Sequence, residues 1–423
     1  MRKLVALVLS ALACAIASPV PAAASGARVV YPTGLAASDV PQVQAAVNAG
    51  GSILLKASDA NGVPAAFEFG SGSVRLNNDV AISGETVNGS MTTVRHGRFP
   101  FRTNFFHPVE SSFSGIHFDS PRSTAVFVGT STGFSFTDNL ITDVVGLPAF
   151  GLLKGQAVWV TDSGFKNHIT GTITVANNVV ERVHADLSYG VALASFDADA
   201  TITGNTFIDT KDTGVLVVYN SKPVVIEGNS IAGGAPEQGF TSVGNGILVG
   251  QGTGAFTIRR NTVVSDNPLA DGIALSGDLI APGHIPGSSL VEKNSVTMRG
   301  SQFGGITVYG EVQASLIANN HVDGDGAYAL DITPIFGNEI CDGTTFRGNN
   351  ISGFNASVAD VFLDVNAYNT VLRGHSGIVI DNGTNNRITG FTPMGGDRNH
   401  ALDSTKDALR QLELDTSGPS DDA

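Results

Sequence analysis

Apolar and polar positions alternate in short runs through most of the chain, and the runs recur. Gly190-Val191-Ala192-Leu193, Gly214-Val215-Leu216-Val217, Gly246-Ile247-Leu248-Val249 and Gly272-Ile273-Ala274-Leu275 share one form. A small residue precedes two aliphatic residues that flank one variable position. Gly305-Ile306-Thr307-Val308, Ala329-Leu330-Asp331-Ile332 and Asp360-Val361-Phe362-Leu363 continue the series. A period of two in runs this short predicts strands with one face in a core. Between the runs lies a second pattern, apolar-x-x-Asn. It starts at Phe136, Val175, Ile202, Ile226, Ile258, Val291, Ile317 and Phe346, and ends at Asn139, Asn178, Asn205, Asn229, Asn261, Asn294, Asn320 and Asn349.

The 210 residues from Asn139 to Asn349 fall into seven steps with a mean of 30, and single steps run from 24 to 39. A loose period around a fixed local motif predicts coils whose turns absorb insertions. Several short strands per coil, stacked coil on coil, make a parallel β-helix of about ten coils. An inward Asn at the same turn of each coil bonds the coils above and below, satisfying backbone groups at the bend. On these motifs the chain resembles the right-handed parallel β-helix of the pectin-lyase-like superfamily, from roughly Ser38 to Gly390. The expected fold class is therefore all-β: a single-stranded right-handed parallel β-helix, a solenoid with a short N-terminal capping helix. That superfamily holds lyases, hydrolases, esterases, epimerases and non-enzymes, so the resemblance implies polysaccharide as partner without fixing a reaction.

The ends fit a solenoid that covers its terminal core. Val40, Val43, Ala46 and Val47 make an apolar helical face, Ser38 or Asp39 is placed to cap it, and Gly50-Gly51 stops it. Arg2-Lys3, the apolar run Leu4–Ala17 and the small residues Ala22-Ala23-Ala24 read as a signal peptide cut after Ala24. The expected divisions are 1–24 signal peptide, 25–50 N-terminal cap, 51–396 β-helix and 397–423 acidic tail. In the tail Leu402, Leu409 and Leu412 form one helical stripe. A secreted or periplasmic location follows, with no membrane span. Cleavage also removes Cys14 and leaves Cys341 alone, so no intramolecular disulfide is expected.

Composition narrows the partners. Charged residues are 15%, against a usual level of about 25%, and the net charge is −14. An acidic chain without a Lys/Arg stripe is a poor nucleic-acid binder, because phosphate neutralisation supplies most of that affinity.

Candidate chemistry lies on the outward positions of the second motif. Read up the solenoid they are Phe127, Trp159, Ala192, Leu216, Leu248, Ala274, Thr307, Asp331 and Phe362. The column carries no Arg, and most of it is apolar. Such a stripe is expected to lie under turns or against a second subunit, so a homo-oligomer through it is one expectation. Phe127 and Trp159 read alternatively as a sugar-binding platform. At the carboxyl-terminal end Asp331 and Asp364 share one face with Tyr309 as hydrogen-bond donor, the arrangement that paired acid/base chemistry needs. Asp360, Glu311 and His284 flank them as substrate contacts, on strand ends and in the long turns 276–290 and 333–345.

Three further clusters stand out. Asp323-Gly324-Asp325-Gly326, read as a turn, offers the ligand type of Ca²⁺, the one cofactor suggested. His184, Asp186, Asp209, Lys211 and Asp212 occupy turns of adjacent coils. Arg95, His96, Arg98, Arg102 and His107 form a basic cluster able to hold a group such as a uronate. The Gly-His-Gly, Arg-Ile-Lys and Asp-Pro-His-Glu segments of polygalacturonase-like and epimerase-like enzymes are absent. Two readings of different class remain: a carbohydrate-active enzyme, and a non-catalytic surface, adhesion or assembly module.

Overall fold

The structure, a computed structural model, describes residues 26–103, 107–149, 152–162, 169–184, 187–233, 244–250, 253–277, 289–334, 339–374, 377–389 and 392–393. The signal-peptide segment, the tail stripe, Asp186 and His284 lie outside these residues. Within them, successive strands of each long sheet come from successive coils. One sheet stacks 14 strands in chain order, from Arg28–Val30 to Arg387–Thr389. At about 4.8 Å per strand that column is roughly 60 Å long. The expectation of about ten coils was too low. Coils before Asn139 and after Asn349 carry no Asn of the repeated motif, so the motif did not mark them.

One coil shows the plan. Thr172–Ala176 pairs with Asp199–Thr203 of the next coil, Val179–Val183 with Thr206–Thr210, and Leu187–Phe196 with Thr213–Asn220. All three pairings are parallel, as a parallel β-helix requires. The inward positions Val191, Val215, Ile247, Ile273, Ile306, Leu330 and Val361 are buried in one continuous core. In the early coils that core is phenylalanine, with Phe101 against Phe113 at 5.1 Å and Phe118 stacked on Phe136 at 5.8 Å between ring centroids. Later coils fill it mainly with Val and Ile, joined by Phe207, Phe256 and Phe346.

The Asn residues form a buried ladder. Asn205 Nδ2 donates to Asn229 Oδ1 in the following coil and to Val175 O in the preceding one, both at 2.9 Å. Asn229 Oδ1 also accepts the Asn205 backbone N–H at 3.0 Å. The same side-chain bond links every neighbour from Asn139 to Asn349. The residue before each ladder Asn has φ between 56° and 65°, in the left-handed region. Glycine meets this at Gly204, Gly228 and Gly348, while Asp138, Asn177, Arg260, Lys293 and Asn319 carry a steric cost of roughly 1–2 kcal/mol each. The buried amide bonds that the turn makes possible offset that cost.

The amino-terminal cap is helix α1, Ala36–Asn48. It begins earlier than expected, after Leu35, and neither Ser38 nor Asp39 caps it. Asp39 is used differently. Its buried carboxylate accepts the N–H groups of Thr33 at 2.7 Å, Gly34 at 3.1 Å and Glu68 at 2.8 Å, and the Gln42 amide at 2.9 Å. It ties the chain before the helix to the first coil. Gly50 and Gly51, at φ 68° and 78°, end the helix as expected. No helix among the described residues is long and apolar enough to cross a membrane.

Candidate functional site

Strand register places Phe127, Trp159, Ala192, Leu216, Leu248, Ala274, Thr307, Asp331 and Phe362 one above another, as the alternation predicts. The same register carries the column downward to Arg102 and Arg75. An outward column with no Arg was therefore an incomplete reading. The early strands Val74–Leu76 and Phe101–Thr103 are three residues long and lack the repeated motif. Their place in the column is set by pairing alone.

The middle of the column is covered within one chain. Leu216, Leu248 and Ala274 are buried with Tyr189, Val218 and Tyr309 in a second apolar cluster outside the sheet. Burial inside one chain gives this stripe no need of a second copy to leave water. Phe127 is buried, with Phe99 at 5.6 Å and the edge of Trp159 at 5.0 Å. Trp159 is half-buried, and the Lys154 ammonium lies 5.2 Å from its ring centroid.

At the upper end the structure builds a buried carboxyl centre. Thr307 Oγ1 lies 2.5 Å from Asp271 Oδ1 and 2.6 Å from Asp331 Oδ1. A hydroxyl has one proton to donate. With carboxyl oxygens on both sides, the second contact needs a proton from a carboxyl group. The environment of each acid decides which one carries it. Asp271 accepts two further bonds, from the Gly304 N–H at 3.0 Å and from the Tyr309 hydroxyl at 2.9 Å, and these favour its ionised form. Asp331 has no such compensation. Burial, then the charge of Asp271, and also that of Asp364, push its carboxyl well above the usual carboxylate range. The chain of donors thus runs from a protonated Asp331 through Thr307 to an ionised Asp271. Burial and the two nearby acids also push the Tyr309 hydroxyl up, which keeps it a donor. Gly304 makes room for the group: a Cβ there would stand 2.1 Å from Asp331 Oδ1 and 2.4 Å from Thr307 Oγ1.

Asp271 was missed by the sequence reading. It stands at the head of its strand after Pro268-Leu269-Ala270, where an Asp reads as a turn residue. The available signal was its place one coil below Gly304 and Thr307, visible only once the register is drawn. Asp364, read as the partner of Asp331, is buried near it and accepts the Val365 N–H at 2.7 Å, but the hydroxyl bridge goes to Asp271. Asp360 accepts the Ile378 N–H at 2.7 Å, and Glu311 is half-buried just beyond Tyr309.

The other clusters resolve separately. Asp323 and Asp325 lie inside the continuous strand His321–Thr333, which bends at Gly324 (φ 96°) without leaving the sheet. The expected turn is a strand because both neighbouring coils pair with it. No three His, Cys, Asp or Glu side chains among the described residues are grouped to hold a metal ion. His184 and Arg182 both bond Asp143, a half-exposed pairing. Arg95 pairs with Asp119 at 3.2 Å and His96 with Glu68 at 2.8 Å. Cys341 is buried and unoxidised, its thiol facing Gly310 O, and burial pushes it up to about 12.

Residues 105–279 match a family described as "Right handed beta helix region". This chain is a right-handed parallel β-helix protein. No curated protein sequence matches it at a significant level. Among solved structures, the A-module of mannuronan C-5 epimerase AlgE4 from Azotobacter vinelandii is 12% identical with a TM-score of 0.45, over 87% of this chain and 98% of that one. The AlgE6 A-module is also 12% identical, with a TM-score of 0.44 over 86% and 98%. A PL6 alginate lyase in complex with a trisaccharide has the same identity and score, over 86% of each chain. The chemistry of this β-helix protein has to be argued from its own residues.

Proposed function

We propose that this chain is an exported β-helix protein that binds and acts on a polysaccharide, with Asp331 as proton donor and Asp271 as its ionised counterpart. One observation carries the catalytic part. A single hydroxyl between two buried carboxyl groups needs a proton on one of them, and the surroundings favour Asp331, as a general acid requires. Tyr309 fixes the ionised carboxylate, and Asp364 supplies a nearby negative charge that keeps Asp331 protonated. Asp360, Glu311, Trp159 and Phe127 belong to the substrate path in this reading, as does His284. The secretory pattern of the first 24 residues supports export to the periplasm or beyond.

A second reading, a non-catalytic surface or assembly module, is favoured by a different observation. Asp271, Thr307, Tyr309, Asp331 and Asp364 are all between 0% and 4% exposed. A polymer reaches them only if their cover withdraws. The two readings separate in one experiment: reducing-sugar and unsaturated-product assays over a glycan panel with wild type, Asp331→Asn and Asp271→Asn. Turnover that both variants lose, at a retained melting temperature, supports the first. Wild type inactive on the panel, or variants that keep turnover, leaves the module reading.

A further inference from the structure

We propose that Arg75, Arg98 and Arg102 form a binding site for an oxyanion carried on a saccharide, a carboxylate or a sulfate group. The inference rests on the polysaccharide reading and names the chemistry of the ligand. Arg75 and Arg102 face each other in register on neighbouring coils, at the foot of the outward column. Adjacent coils are about 4.8 Å apart, so the two side chains leave the same face side by side. Arg98 packs its guanidinium 5.5 Å from the Phe99 ring centroid, and Phe99 packs in turn on Phe127, the residue above Arg102. Three cations thus converge on one patch.

Beside them Arg95 pairs with Asp119 and His96 with Glu68. Among the described residues no carboxylate lies within ion-pair distance of Arg75, Arg98 or Arg102. The absence is notable in a chain of net charge −14, where 38 acidic residues face 24 basic ones. Burial, then the like charges of Arg75 and Arg98, weaken the hold of Arg102 on its proton. Like charges gathered without a counter-charge oppose one another until an anion arrives. Planar guanidinium forks match the two oxygens of a carboxylate or sulfate.

Position adds the saccharide. From Arg102 up the column to Thr307 there are seven strand steps, through Phe127, Trp159, Ala192, Leu216, Leu248 and Ala274. That is roughly 34 Å at 4.8 Å per step. One sugar is too short to reach from the arginines to the covered carboxyl centre; an extended polymer lying along the solenoid, outside the covered middle of the column, spans that distance.

The sole tryptophan, Trp159, stands two strand steps above Arg102 and reports on the patch. The full-length protein is titrated with a uronate oligosaccharide, a sulfated glucan oligosaccharide, a neutral glucan oligosaccharide of equal length, and inorganic sulfate. Trp159 fluorescence and calorimetry are read at two salt concentrations. Binding of the uronate or the sulfated ligand but not the neutral one, weakened at least tenfold in Arg102→Gln and in Arg98→Gln and weakened by salt, is the expected result. Which charged saccharide binds tells carboxylate from sulfate. Arg102→Gln is also expected to keep or raise the melting temperature of the free protein, since a cation without a partner is removed. A lowered melting temperature with unchanged binding assigns Arg102 to structure and overturns the site, as does equal binding of the neutral glycan, binding of inorganic sulfate alone, or binding of none of the four. Asp331→Asn should bind the charged glycan like wild type, so loss of turnover and loss of binding fail separately.

Discussion

Two columns run along this solenoid, and they differ in kind. At one corner the ladder repeats a single residue eight times from Asn139 to Asn349, each amide bonded to the next. On the outward face the column changes character as it rises, from Arg75 and Arg102 through Phe127 and Trp159 to Leu216, Thr307 and Asp331. A ladder amide has its counterpart one coil away, so a different residue at any rung strands the groups of its neighbours. An outward residue answers to whatever covers it, so nothing forces it to match the residue above. Uniformity marks the position the fold needs, and variation marks positions available for chemistry.

The largest expected effect breaks the uniform column. Asn229→Ala removes the acceptor for the Asn205 N–H and side-chain amide and the donor to Ile202 O, all buried. A loss of about 1–3 kcal/mol is expected for a stranded buried group, read as a lowered denaturation midpoint. Asn349→Ala, at the last rung, should cost less than Asn229→Ala; an equal cost would mean that the rungs do not act through one another.

A smaller effect is expected at Gly304. Its alanine variant pushes a methyl group into the space of Asp331 Oδ1 and Thr307 Oγ1, so the carboxyl centre must shift and the melting temperature should fall. Gly228→Ala, on the ladder side, meets open space but sits at φ 64°, so its loss should reflect backbone strain alone, about 1–2 kcal/mol.

The next effect depends on pH. Burial pushes Asp271 up to about 6 and Asp331 well above its ordinary value. Both pKa values are higher folded than unfolded, so the native state binds more protons between them. This contribution is full below the unfolded carboxylate value near 3.9. It is lost as pH rises through 6 and beyond. The wild-type melting temperature should therefore fall from pH 5 to pH 8, and Asp331→Asn should flatten that fall. Equal slopes would place the proton elsewhere. The smallest effect is optical: acrylamide should quench the half-buried Trp159 to an intermediate extent, in a protein whose light scattering is that of one chain.

The fold was legible because its signals are local. An apolar-x-x-Asn corner and a Gly-apolar-x-apolar strand can each be read within a few residues, and their repetition orders the coils. The outward register from Phe127 to Phe362 followed from the same alternation. The carboxyl centre was only half visible. Asp331 and Tyr309 lie on motif strands, whereas Asp271 is 60 residues before Asp331 and looks like a turn residue. The arginine patch was hidden for a related reason. Arg95, His96, Arg98 and Arg102 read as one cluster, yet the first two bond Asp119 and Glu68 from other coils. Arg75, which belongs to the patch, lies one coil earlier.

The ladder also has a direction. Every rung before Asn349 points its backbone N–H and one side-chain N–H toward the following coil, whose amide oxygen receives them, as Asn261 does toward Asn294. A partly formed solenoid therefore ends at its growing edge in donors awaiting an acceptor, and the next coil brings that acceptor in its own corner. Contacts reach only neighbouring coils, so assembly can advance one coil at a time. A chain that leaves the ribosome, or crosses a membrane, amino end first presents its coils in that same order. Its folding is templated along the axis in which it is delivered.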